Sequence, residues 1–207
     1  MDSQEFVEAV RDEAATPLSR LGSSKALYAD TEGEMDAEAV MQAAGDRAHF
    51  AAERFEEWAE EESGDVSDLF ADAADTEREH AEAAADEHGD YGPGDEPAVQ
   101  SHLAGVEGTG ERLGAFVGWA LAAGNNADQV VGFFVGQASP MTASTFRAFG
   151  DDYDAYVADA SELLADETES DDEWTAAVEA ATAAIQADYD AYFETLESLG
   201  VNPKPVC

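Results

Sequence analysis

The stretch from Leu113 to Phe146 carries a single charged residue, Asp128, in a chain where charge is otherwise dense. The 207 residues include 48 Asp and Glu against 9 Lys and Arg, a formal net charge of −39. Large apolar patches rarely stay exposed on a folded protein. The stretch therefore predicts either the buried centre of the fold or a subunit interface, with a membrane-associated hairpin as the remaining alternative.

Glycines recur every four residues in and beside this stretch. Gly110, Gly114 and Gly118 form one set, and Gly132 and Gly136 form a second. Glycines at this spacing make a flat helix face that another backbone can approach closely. Neither predicted helix is long enough to span a bilayer. The pattern therefore favours tight packing within the fold, or a homodimer formed through residues 113–146.

Apolar residues recur at helical spacing along nearly the whole chain, and strand-like alternation occurs nowhere. The fold class is predicted to be all-α, an antiparallel helical bundle of about six to eight helices. We expect a single domain over residues 1–207, with a tail at 201–207. The spacing predicts helices over 3–21 with a break at Pro17, 25–28, and about 37–62, 66–88, 98–123, 127–138, 140–149, 152–165 and 173–199, with a loop at 90–97.

The acidic composition indicates adaptation to salt and excludes some functions. With 44% hydrophobic residues, 10 Phe and 3 Trp, the chain is too apolar for a disordered protein. At molar salt the Debye length is about 3 Å, so like charges hardly repel; we therefore expect a halophilic archaeal protein. The few basic residues are scattered, which argues against direct nucleic-acid binding. Neither a secretory signal nor a membrane span is recognisable, which predicts a cytoplasmic protein.

The segment DTEREH, residues 75–80, contains a Glu-x-x-His pair. On a helix over 66–88, Glu77 and His80 fall on the same line as the apolar residues Val66, Phe70 and Ala73. Both side chains are therefore predicted to face the interior. A buried carboxylate and imidazole need a partner. That partner is either a metal ion, or the two groups bond each other and a neighbouring helix.

Polar residues on two other predicted helices are candidates to complete such a site. His49 and Glu53 lie on the helix over 37–62, to one flank of its apolar line. Glu107 lies in the apolar stripe of the helix predicted over 98–123.

A bundle with these features resembles the ferritin-like superfamily, rubrerythrin relatives in particular. In that superfamily, two helices each supply a Glu and two others each supply a Glu-x-x-His to hold two iron atoms. The resemblance implies that Glu77, His80, Glu53 and Glu107 are ligands of iron or manganese, and that His49 is a ligand or a proton shuttle. One Glu-x-x-His motif is present here, where the family has two.

Two classes of function remain open, and whether the chain is an enzyme stays open with them. The resemblance implies a metal-dependent redox or peroxide-removing protein. The alternative is a non-catalytic protein-interaction or regulatory module that uses residues 113–146 as its interface. Because the basic residues are scattered, any role in transcription would run through protein partners.

Overall fold

A computed structural model describes residues 1–88 and 91–203, except for the side chains of residues 87 and 88. The described residues are helical without any strand, which confirms the predicted all-α bundle. They form nine helices: α1 (Ser3–Glu13), α2 (Ala15–Leu21), α3 (Ser24–Asp30), α4 (Ala37–Glu61), α5 (Gly64–His88), α6 (Ala98–Leu103), α7 (Thr109–Gly136), α8 (Pro140–Glu167) and α9 (Asp171–Ser198).

Local sequence determines where several helices begin and end. The Asp36 carboxylate accepts a hydrogen bond of 2.9 Å from the backbone N–H of Ala39 and caps α4. Pro140 is the first residue of α8, where a missing N–H costs nothing. Just after α9, Gly200 adopts a φ of +72°, which is the left-handed conformation that favours glycine.

The prediction of one continuous helix over 98–123 is wrong, because the chain leaves the helix in the middle of this segment. Helix α6 ends at Leu103, and the chain turns through residues 104–108 before α7 begins. Gly108 supplies a φ of +90° at this turn, which a side chain would disfavour. Conversely, α7 continues through residues 124–126, where a break was predicted. The Asn125 side chain reaches outward to donate a hydrogen bond of 3.2 Å to the Leu18 carbonyl, so it does not interrupt the helix.

Two other predicted boundaries also differ. Residues 140–149 and 152–165 belong to one continuous helix, α8, in which Gly150 is accommodated. The first break falls at Ala14 rather than at Pro17. Pro17 is the third residue of α2, where a backbone N–H has no acceptor within the helix. The described residues thus form nine helices, against the six to eight expected.

Helix α7 lies at the centre of the bundle. It packs against α8 and α9, while α4 and α5 form a second hairpin. The eight residues from Leu113 to Ala120 are all buried, so every side of this part of α7 is covered. The short connections at 62–63, 137–139 and 168–170 turn the chain back on itself and make successive helices antiparallel.

Aromatic rings join the two hairpins across this centre. Phe116 of α7 lies 4.8 Å from Phe55 of α4 and 5.5 Å from Phe70 of α5, both centroid to centroid and edge to face. Trp119 meets Phe55 at 4.7 Å, and Tyr156 of α8 meets Phe116 at 5.3 Å. Aromatic pairs of this kind add to the stabilisation from apolar burial.

The first glycine set permits the contact between α7 and α9. A Cβ at Gly114 would lie 2.3 Å from the carbonyl oxygen of Ala177, and a Cβ at Gly118 would lie 2.1 Å from that of Ala181. These are backbone atoms, so no flexible side chain can move aside. The expectation that these two glycines admit another backbone is therefore confirmed.

Part of the charge-poor stretch reaches the surface, at the turn between α7 and α8. Val135 is 55% exposed and Met141 is 84% exposed. No helix among the described residues has both the length and the apolar character needed to cross a membrane.

Substituting Gly118 by Ala tests the α7–α9 contact. We expect a loss of about 1–3 kcal/mol or more in the free energy of unfolding, because the new methyl group displaces the α9 backbone. Gly150→Ala is the matched control, since a Cβ there meets nothing within 4 Å. It should be neutral or slightly stabilising, because Ala favours helix. Urea titration followed by circular dichroism measures both, and equal effects of the two substitutions would contradict the contact.

Candidate functional site

Glu77 and His80 lie together in the interior, where α5 meets α8. Their exposures are 0% and 3%, so the inward orientation predicted from the helical spacing is confirmed. The three-residue separation places both side chains on one face of α5. That face meets Phe149, Asp152 and Tyr153 of α8.

The His80 imidazole is held between two carboxylates. Its Nδ1 lies 3.2 Å from Oε1 of Glu77, and its Nε2 lies 3.0 Å from Oδ2 of Asp152. The ring stacks on Phe149 with centroids 3.7 Å apart, and Tyr153 meets it edge-on at 5.6 Å. Because the Asp152 side chain is 44% exposed, this line of polar groups runs from the core to the surface.

Glu77 is the least satisfied polar group of this site. Its contact with His80 has the distance of an ion pair, but neither Glu77 oxygen has a hydrogen bond within the described structure. The hydroxyl of Tyr156, also buried, has none either. Burial raises the pKa of Glu77, and its interaction with His80 only partly offsets this. The neutral carboxylic acid is therefore favoured relative to an exposed glutamate.

The neighbours of His80 favour its protonated form. Burial alone lowers the pKa of His80, but the facing carboxylates of Glu77 and Asp152 raise it by more, so the net shift is upward. Glu77 and His80 titrate as a pair, so one bound proton lies either on the Glu77 carboxyl group or on the His80 ring; on the ring, it gives an imidazolium that faces both carboxylates. The group can thus hold a proton inside the bundle and tie α5 to α8.

The separation of Glu77 Oε1 and His80 Nδ1 also suits two ligands of one metal ion. Adjacent donor atoms that each lie about 2.1 Å from one ion are about 3 Å apart, close to the separation of Glu77 Oε1 and His80 Nδ1. A ligating histidine commonly donates its other N–H to a carboxylate, which is the position of Asp152. The surrounding side chains, however, are largely aromatic. Within the described part of the chain, no group of three or more His, Cys, Asp and Glu side chains is arranged to hold a metal.

The other three candidate ligands lie elsewhere. His49 and Glu53 pair with each other on α4 at 3.6 Å, and their side chains are 34% and 61% exposed. Glu107 is exposed in the turn between α6 and α7, not on a helix, because the chain breaks at Gly108. The structure therefore brings together two of the five predicted ligands, Glu77 and His80.

A second, largely buried polar group surrounds Arg47 of α4. Its Nη2 lies 2.9 Å from Oδ1 of Asp30 and 3.1 Å from Oδ1 of Asp188, while the Asn126 amide donates a bond of 2.6 Å to Asp30. The pKa of Asp30 is raised by burial, an effect that Arg47 opposes. This network links α3, α4, α7 and α9, and removing one partner of such a buried pair is costly.

Asp46, the residue before Arg47, has a different role from Glu77, although each lies three residues before a histidine. Its carboxylate accepts hydrogen bonds of 3.0 Å from the Tyr91 hydroxyl and from the Gly94 backbone N–H. Asp46 therefore fixes the loop before α6 rather than contributing to a site with His49.

Sequence reasoning missed Asp152 and Asp188, although a signal for each was present. Asp188 lies on the buried line of α9 between Ala184 and Tyr192, each four residues away. Asp152 is three residues after the buried Phe149. In a chain with 48 acidic residues, an aspartate at an inward helical position does not stand out from those on the surface.

Comparisons with known proteins return no relative. No family model, no curated protein and no solved structure matches the chain.

Glu77→Gln tests the protonation of the buried carboxyl group. Because the pKa of Glu77 is raised in the fold, its stabilising contribution is fully present below the unfolded value of 4.5 and is lost as pH rises through the folded value. The raised pKa of His80 acts in the same direction. Gln resembles the neutral acid, so the melting temperature of the variant should fall less with rising pH than that of the wild type.

Glu79→Gln is the matched control, because Glu79 is exposed on the same helix. Its melting temperature should follow the wild-type pH profile. Parallel profiles for wild type and Glu77→Gln would contradict a neutral Glu77 in the core.

Proposed function

We propose that the chain is a non-catalytic interaction module that associates with a second copy of itself through the tip of the α7–α8 hairpin. The hairpin tip is defined as residues 131–141. The single observation that carries the proposal is the exposure of Val135 and Met141 on a surface without any charged residue. Exposed apolar patches on acid-rich proteins are candidates for protein contact.

The second glycine set supports this assignment. Gly132 and Gly136 have the same four-residue spacing as Gly114 and Gly118, and all four lie on α7. At the first set the flat face meets the backbone of α9. At Gly132 and Gly136 an added Cβ would meet nothing within 4 Å. The hairpin tip thus offers another helix a flat glycine face, of the same kind as the α7 face against which α9 packs inside the bundle.

Electrostatics favour a second copy at this position over other faces of the molecule. Across a tight interface, carboxylates of the two chains, each of charge −39, would come within about a Debye length of each other, so they repel there even at molar salt. The hairpin tip is free of charged residues, so two copies can meet there without bringing acidic side chains into contact. A two-fold dimer would place the same patch on both sides of the interface.

The double substitution Val135→Glu with Met141→Glu tests the interface. In molar KCl the wild type should sediment as a dimer, and the variant as a monomer, because four carboxylates would be buried in each dimer. The matched control is Ala155→Glu with Ala158→Glu, two exposed positions on α8 outside the hairpin tip. The control should remain dimeric, with circular dichroism confirming that all three proteins are helical.

A monomeric wild type at all concentrations would overturn the proposal. So would a variant that dimerises as tightly as the wild type.

A second candidate function, binding of iron or manganese, is favoured by the contact between Glu77 and His80. Oε1 and Nδ1 lie 3.2 Å apart, and both Glu77 oxygens are without hydrogen bonds in the described structure. The rubrerythrin resemblance implies the same two residues as ligands. These two donors would hold an ion together with water, and the remaining coordination positions would be open.

Metal content measured on protein purified without chelator tests this second candidate. His80→Ala should lose bound metal, whereas His49→Ala should retain it, because His49 is on the surface and apart from Glu77. Equal metal content in the two variants, or none in the wild type, would overturn the metal site.

A further inference from the structure

An open cleft of about 730 Å³ lies between the N-terminal helices α1 and α2 and the α7–α8 hairpin. We call it the arm cleft. Leu18 of α2, Leu121 of α7 and Val157 of α8 contribute apolar surface to its lining. Its volume is in the range of small-molecule sites, which are concave and combine apolar surface with a few polar groups.

Two arginines line the arm cleft without partners from the described residues. Arg11 comes from α1 and Arg147 from α8, and neither has a hydrogen bond or ion pair with the described part of the chain. This is notable where 48 acidic side chains compete for 9 basic ones. Carboxylates hold four other arginines in this structure: Arg47, Arg54, Arg78 and Arg112.

The cleft also carries negative charge, which restricts the ligand. Asp128, Asp151 and Asp154 line it together with the two arginines. A simple anion would meet three carboxylates, and a simple cation would meet two guanidinium groups. A ligand with one charge of each sign can place its carboxylate against arginine and its ammonium group against aspartate. Guanidinium groups favour carboxylates in particular, because they can donate two parallel hydrogen bonds.

We propose that the arm cleft binds a zwitterionic α-amino acid with an apolar side chain. The carboxylate lies at Arg11 and Arg147, the ammonium group lies at the aspartates, and the side chain covers Leu121 and Val157. This site is independent of the hairpin tip and of Glu77 and His80.

The ligand's charges can be tested one at a time. L-Phenylalanine is the probe, phenylpropionate lacks its ammonium group, and phenethylamine lacks its carboxylate. Calorimetric titration of the full chain in molar KCl should give saturable binding of one phenylalanine. Both analogues should bind at least about tenfold more weakly, since each loses hydrogen bonds to a charged group.

Variants locate the site. Arg11→Gln and Arg147→Gln should each weaken phenylalanine binding by about tenfold. Both side chains are exposed, so the fold should be retained, and circular dichroism checks this. Arg20→Gln is the matched control, because Arg20 does not line the cleft.

Three outcomes would overturn the proposal. The first is no saturable binding, and the second is equal binding of phenylalanine and its analogues, which would show that neither charge of the ligand is recognised. The third is binding that Arg11→Gln and Arg147→Gln leave unchanged.

Discussion

The close approach of α7 to α9 at Gly114 and Gly118 is the contact on which the rest of the bundle depends. Each glycine lies directly over a backbone carbonyl of α9, at Ala177 and Ala181. Because no side chain separates the two helices there, the opposite face of α7 is free to hold large rings. Phe116 and Trp119 occupy that face and meet rings from α4, α5 and α8. Small residues on one side of α7 and large ones on the other thus place it at the centre.

The buried polar groups lie between neighbouring helices around this centre. Arg47, its two carboxylates and Asn126 join four helices at one side, while His80 joins α5 to α8 at another. Both groups place carboxylates inside a chain whose surface is already strongly negative. Each is balanced by a cation or by a proton, as burial of charge requires. The two groups therefore add specific polar contacts between helices that apolar residues, rings and glycines pack together.

Much of the fold and two residues of the candidate site, Glu77 and His80, followed from the sequence. The helical spacing placed Glu77 and His80 correctly, because it extends over several turns of α5. The glycine spacing anticipated the α7–α9 contact for the same reason. Breaks between helices were harder to predict. Gly108 lies at the end of a turn that places Glu107 outside the helices, whereas Gly124 and Gly150 lie inside continuous helices. A glycine's role depends on tertiary contacts that its neighbours in sequence do not reveal.

The partners of His80 and Arg47 depend on contacts over long sequence separations. Asp152 is 72 residues from His80, and Asp188 is 141 residues from Arg47. With acidic residues so frequent, helical phase alone could not select these two. The partners depend on which helices pack against each other, and that packing is a property of the whole bundle.

Hydrogen exchange measured residue by residue in molar KCl tests the central position of α7 most directly. If every other long helix packs around it, amides from Leu113 to Ala127 should exchange only through global unfolding, and should be the slowest in the protein. Amides of α1 and α2 should exchange faster, through local opening. Exchange of the α7 amides as fast as those of α1 would contradict this account.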